Sequence, residues 1–137
     1  MQYEDYCRKI SPINQHIQKQ IALMCGINGV LNLQSSKKVE EHIIIKMRDA
    51  LAHRGPDDKG IYIANTIGLG HRRLSVLDTS LAGHQPFLSD DKRYVLVYNG
   101  EIYNFKEFYP ELIRNGFDIK TKSDTEVLLK LFQLYEE

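Results

Sequence analysis

Apolar and polar positions change rhythm several times along the chain, and each change marks an element. CGINGVLNL, from Cys25 to Leu33, is a short apolar run of β-compatible composition in which Gly26 and Gly29 permit close backbone approach; it reads as an interior strand. From Lys38 to Ala52, Val39, Ile43, Met47, Ala50 and Leu51 recur at helical spacing, which predicts an amphipathic helix. Arg54-Gly55-Pro56-Asp57 then forces a turn. GIYIAN and the segment from Ile67 to His71 predict a hairpin closed across Asn65 and Thr66. After a loop from Asp78 to Asp91, RYVLVYNG alternates in a strongly β-forming composition and stops at Asn99-Gly100. Asn104 can cap a helix running through Ile113, which Pro110 should kink or shorten. Ser123-Asp124-Thr125-Glu126 fits a capping box opening a helix that carries Val127, Leu128, Leu131 and Leu134. Strands and helices alternate without a βαβ rhythm, and the strands fall in hairpin-like pairs, so the predicted class is α+β with antiparallel sheets.

Residues 1–24 lack strand-like alternation, contain SPINQHIQKQ and end at a second methionine, Met24. They read as a leader or a misassigned start, with the domain proper over residues 25–137. A chain of 137 residues, 42% of them hydrophobic, fits one domain with a core. Lys plus Arg and Asp plus Glu each total 18, so no single-sign field draws it to nucleic acid or to an anionic membrane, and neither is an expected partner. No apolar run approaches the roughly 20 residues that span a bilayer, and the N-terminal stretch is broken by charge, so no secretory signal is expected. Cys7 and Cys25 show no CxxC spacing, which favours reduced thiols and a cytoplasmic setting.

Chemistry concentrates at turns: Cys25-Gly26, His53 to Asp57, Gly70 to Ser75, Tyr98 to Glu101 and Ser123-Asp124. Taken singly, each has an ordinary reading. A lone cysteine is most often an inert buried thiol, Asn-Gly is a common hairpin turn, Arg72 and Arg73 could be solvated, and Asp124 could serve only the helix dipole. The spacing of His53, His71 and His84 fits no ligand pattern, so no metal is expected, and Asp57 and Asp58 read as a solvated turn. Tyr98 and Tyr103 are expected to pack, and Arg54 to brace its own loop.

Taken together and in this order, HRGPDDKG, GHRRLSVLD and YNGEIYNF resemble the N-terminal-nucleophile glutamine amidotransferases, specifically the asparagine synthetase branch. The resemblance runs from Cys25 to the C-terminus. It implies the front part of an αββα sandwich, incomplete here, that hydrolyses glutamine to glutamate and ammonia through a Cys25 thioester. Chemically, such a reaction needs a nucleophile, a proton acceptor and donors aimed at the developing oxyanion. A free α-amine on the nucleophilic cysteine, of ordinary pKa about 7.7 to 8.0, suits a thiol of ordinary pKa about 8.5 as base. The resemblance implies Asn99 and Gly100 as the oxyanion hole, Arg73 in preference to Arg72 for the substrate carboxylate, and backbone from Leu74 through Ser75, Val76 and Leu77 as the adjoining wall. It implies Asp124, assisted by Glu101, for the substrate ammonium.

No cofactor is expected on this chain; ATP and Mg belong to a synthetase domain, or a separate synthetase subunit, that would receive the ammonia. A homodimer of the full-length protein is compatible with this reading. Two other readings are a catalytically silent glutamine-binding or assembly fragment, and a thiol hydrolase built on Cys25, His71 and Asn99.

Overall fold

The computed structural model describes residues 24–34, 37–75 and 80–136, so the leader reading of residues 1–24 lies outside it except at Met24. Its first half is a three-stranded antiparallel sheet in the order β1 (Gly26–Leu31), β3 (Ile67–Arg73), β2 (Asp58–Ala64). The hairpin joining β2 to β3 closes as its sequence predicts, with Ala64 opposite Ile67 and Asn65 at φ 48°, a conformation asparagine tolerates. The strand expected to be interior is instead at an edge among the described residues. The hairpin occupies one side of β3 and β1 the other, which makes β3 the central strand.

α1 (Glu41–Ala50) lies across one face of this sheet. At Gly68 the packing is tight: a Cβ there would strike Ile44 of α1 and Val39, which precedes the helix. The buried stripe of α1 is Ile44 and Arg48, whereas Ile43 and Met47, expected to face inward, are exposed. Val39 explains the one-residue offset. It is buried, but it precedes the helix as extended chain and donates its N–H to the Asn65 carbonyl, so it does not belong to the helical period.

In the second half, the segment expected as a plain loop contains a turn of 3₁₀ helix at Leu81–Gly83 and the short strand β4 (Phe87–Leu88). β4 pairs antiparallel with β5 (Val95–Leu96), all that forms of the strand expected over RYVLVYNG. The ladder ends early because the Tyr98 N–H is taken by the Gln85 side chain instead of a strand partner. Asn104 makes no side-chain cap; a 3₁₀ turn at Phe105–Phe108 leads directly into α2 (Tyr109–Arg114). Pro110 sits in the first turn of α2, where its missing N–H costs nothing, and so helps start the helix instead of kinking it. α3 (Asp124–Tyr135) packs Val127 with Phe105 and Leu112 into the apolar core of this half.

The capping box at α3 forms only in part. Ser123 Oγ accepts from the Thr125 N–H at 3.2 Å, but Glu126 turns away from Ser123. Its carboxylate accepts the N–H groups of Lys120 (3.0 Å) and Thr121 (2.6 Å) and pairs with Lys130 at 2.8 Å. Burial opposes ionisation of Glu126, yet Lys130 and these N–H donors hold it below the ordinary carboxylate range.

The offset of α1 separates two neighbouring isoleucines. Ile44→Ala should cost about 2–5 kcal/mol because Ile44 is fully buried, whereas Ile43→Ala, 40% exposed, should cost under about 1 kcal/mol. Urea unfolding of the two variants checks the order; equal losses would place α1 in the other register.

Candidate active site

A cavity of about 400 Å³ opens where the end of β3, the Tyr98–Glu101 loop and the N-terminus of α3 converge. Cys25 reaches it from the position before β1. Its sulfur accepts the Leu74 N–H at 3.3 Å and faces the Leu74 carbonyl at 3.7 Å, so both polar groups of one residue at the exit of β3 hold the thiol. Arg54 does not brace its own loop: its Nε donates to the Cys25 carbonyl at 3.3 Å. The His53–Asp57 turn can lie against the end of β3 because residue 55 is glycine; a Cβ there would collide with the backbone of Arg72 and Arg73.

Strand alternation separates the two arginines. In the antiparallel register Arg72 stands opposite Gly26 and Lys59, on the face that carries α1, and its Nη2 pairs with Asp49 at 2.7 Å. Arg73 points to the other face, is buried, donates from Nη1 to the Ser80 carbonyl at 2.8 Å and lines the cavity. Gly83 is pressed against its guanidinium, where a Cβ would not fit.

On the opposite wall, Asn99, Gly100 and Glu101 line the cavity beside Asp124. Asp124 is buried, and its Oδ2 accepts the Ile102 N–H at 2.9 Å, which fastens the loop to the start of α3. Tyr98 packs over Gly100 and also lines the cavity. Its phenol pKa is raised by burial and by the nearby carboxylates of Asp124 and Glu101, so it stays protonated. Tyr103, expected to pack, is 82% exposed at the rim because it lies between the loop and the 3₁₀ turn with no apolar surface over it.

Of the remaining predicted residues, Leu74 lines the cavity, whereas Ser75 does not and gives its N–H to Asp57 Oδ2 at 2.8 Å. Val76 and Leu77 lie outside the described residues. Asp57 and Asp58 are more than a solvated turn: Asp58 Oδ2 pairs with His84 Nδ1 at 2.7 Å. Among the described residues no group of three or more His, Cys, Asp or Glu side chains could hold a metal ion.

His71 does not join Cys25. It is fully buried within β3, stands opposite Ile27, does not line the cavity, and its Nε2 lies 3.2 Å from the Tyr98 carbonyl. A carbonyl only accepts, so Nε2 carries the proton, and Nδ1 is left with no partner among the described residues. Burial lowers the His71 pKa to about 4, against the pull of the Tyr98 carbonyl and of Asp58. This neutral imidazole supports backbone and is not a base for the thiol.

Sequence reasoning missed Gln85, Gly83 and Thr125 on the cavity wall. No motif or periodicity marks Gln85 or Gly83, and the capping-box motif marks Thr125 only as part of a helix start, since their places on the wall come from tertiary packing.

A family profile described as "Glutamine amidotransferase domain" matches residues 24–137. The chain belongs to the glutamine amidotransferase domain family. It is 44% identical over 112 residues to asparagine synthetase [glutamine-hydrolyzing] 2 of Bacillus subtilis (strain 168), covering 80% of this chain and 15% of that protein. It is 40% identical over 116 residues to asparagine synthetase [glutamine-hydrolyzing] 1 of the same organism, covering 83% and 18%. It is also 37% identical over 123 residues to amidase chyE of Penicillium rubens, covering 82% and 18%. The chain thus spans less than a fifth of each of these relatives. Among the described residues no helix of this amidotransferase domain is long and apolar enough to cross a membrane.

The low His71 pKa sets a pH dependence. Between about pH 4 and 6.5 the unfolded chain binds a proton that the folded one refuses, so stability is complete above this window and falls as pH drops through it. The domain should be about 2 kcal/mol less stable at pH 5 than at pH 7, and His71→Asn should remove most of that difference. Urea titrations at the two pH values read it directly; an unchanged pH difference in His71→Asn would place the proton uptake elsewhere.

Proposed function

We propose that this domain is the glutaminase part of an asparagine synthetase-type amidotransferase. The observation that carries the reading is that Cys25, Arg73, Asn99, Gly100 and Asp124 all line one cavity. A free amino acid bearing a side-chain amide offers three features at such a wall: a carboxylate for the guanidinium of Arg73, an ammonium for Asp124 with Glu101 near it, and an amide carbon for the thiol. Asn99 and Gly100 supply side-chain and backbone N–H donors for the oxygen that becomes negative.

The Cys25 sulfur attacks the amide carbon while its proton passes to the α-amine of Cys25. The tetrahedral adduct collapses, breaking the C–N bond, and that ammonium returns its proton to the departing nitrogen as ammonia. Water then hydrolyses the γ-glutamyl thioester to glutamate and regenerates the thiol. With Met24 still attached, the Cys25 nitrogen is an amide with no basic lone pair, and Met24 itself lines the cavity. Initiation at Met24 with loss of that methionine, favoured over cleavage of a longer propeptide before Cys25, would expose the amine and clear the wall together.

The names of the Bacillus relatives support a synthetase domain, or a separate synthetase subunit, as recipient of the ammonia, with ATP and Mg bound there and not on this domain. A cytoplasmic setting and a homodimer of the full-length protein belong to the same reading. So does an αββα sandwich: the sheet face away from α1 exposes Ile27, Leu31 and Ile67, an apolar surface on which a second sheet could pack.

Two outcomes are expected. Protein expressed from its native gene and shown by N-terminal sequencing to begin at Cys25 should release ammonia from glutamine, and a form retaining residues 1–24 should be nearly inert; the reverse order would sink the amine-base mechanism. Arg73→Ala should weaken glutamine binding by about 2–5 kcal/mol in calorimetry, while Arg72→Ala, on the α1 face, should change it little. Equal effects of the two would remove Arg73 from the substrate site.

A further inference from the structure

The segment from Ser80 to Gln85 carries no catalytic chemistry, yet it touches each wall of the cavity. Its backbone meets Arg73 through the Ser80 carbonyl and through Gly83. At its end the Gln85 carbonyl is packed onto β2 so tightly that Gly60 has no room for a Cβ. From this fixed base the buried Gln85 side chain bridges two elements that do not otherwise share a strand or helix. Its Oε1 accepts the Tyr98 N–H at 2.6 Å and its Nε2 faces Thr125 Oγ1 at 3.3 Å. The amide has one orientation only, because the flipped form would set its NH₂ against the Tyr98 N–H.

Tyr98 directly precedes the Asn99-Gly100 pair, and Thr125 directly follows Asp124. Resting on the function proposed above, we infer that Gln85 is a positioning residue that sets the spacing between the oxyanion donors and the ammonium-binding carboxylate. The Tyr98 residue is held from both ends, its N–H by Gln85 and its carbonyl by His71. The peptide bond leading to Asn99 therefore has little freedom, and the donors stand ready before substrate arrives. An apolar side chain at residue 85 would leave the Tyr98 N–H and the Thr125 hydroxyl in a buried site without this partner. The loop would then shift to recover a hydrogen bond, and donors displaced by an ångström lose much of their effect on a transition state while ground-state binding survives.

The test compares Gln85→Met, Thr125→Val and Thr125→Ser with the parent protein, expressed from its native gene and verified to begin at Cys25. Gln85→Met should lower kcat for glutamine hydrolysis by about 10- to 100-fold while KM moves less than about threefold. The rate of Cys25 alkylation by iodoacetamide, a displacement that forms no oxyanion, should stay the same. Thr125→Ser, which keeps the hydroxyl, should lose less than Thr125→Val; this pair decides the matter if Gln85→Met does not fold. Unchanged kcat in Gln85→Met, equal losses in the two Thr125 variants, or a parallel fall of kcat, alkylation rate and thermal stability would overturn the inference. A parent protein that begins at Cys25 and releases no ammonia from glutamine would instead overturn the underlying function, a result separate from any of these.

Discussion

The register that sets Gly26 opposite Arg72 decides which residues at the end of β3 face the cavity. Antiparallel pairing places directly opposed residues on one face of a sheet, and side chains alternate faces along each strand. With this register, Arg72 goes to the α1 face to pair with Asp49, and Arg73 goes to the cavity. Leu74, one position further, meets the Cys25 thiol with both its N–H and its carbonyl. A slip of one residue would exchange the two arginines and part the thiol from Leu74. Close packing protects the register: Gly68 admits Val39 and Ile44, Gly26 admits Leu51, and Gly55 lets the preceding turn rest on the end of β3.

The cavity depends on a second, polar set of contacts. Val39, Ile44 and Arg48 are buried at α1 and its sheet, and Phe105, Leu112 and Val127 form the apolar core of the other half. Polar bonds link the two halves at the site, His71 to the Tyr98 carbonyl and Arg73 to the Ser80 carbonyl, while within the second half Gln85 ties Tyr98 to Thr125 and Asp124 holds Ile102. Such bonds are directional, whereas apolar burial is not, so a network of this kind suits a place where spacing matters more than adhesion. The Nδ1 of His71, which has no partner among the described residues, is a cost of the arrangement, and burial lowers the pKa of that imidazole to about 4.

How much of this is legible in the sequence depends on how local each cause is. The β2–β3 hairpin and α3 are legible because a two-residue turn and a helical apolar stripe are encoded within a dozen neighbouring positions. Cys25, Arg73, Asn99, Gly100 and Asp124 each have an ordinary reading when taken singly, and become candidates only through the order of the motifs HRGPDDKG, GHRRLSVLD and YNGEIYNF and the family resemblance they carry. The burial of α1 reads one residue out from sequence, since Val39 reaches the core without being helical, and periodicity alone does not separate those cases. Gln85 and Thr125 escape notice for a deeper reason: a glutamine in a loop and a threonine in a first helical turn are ordinary, and only the fold makes them meet.

If one cavity binds glutamine by both of its charged ends and presents its amide carbon to Cys25, a glutamine analogue carrying an electrophile in place of the side-chain amide should find the same seat. Intact mass and peptide mapping of the treated protein read this most directly. A single adduct is expected on Cys25, suppressed by excess glutamine and strongly slowed in both Arg73→Ala and Asp124→Asn. Labelling of another residue, or labelling of Cys25 at the parent rate in both variants, would contradict it.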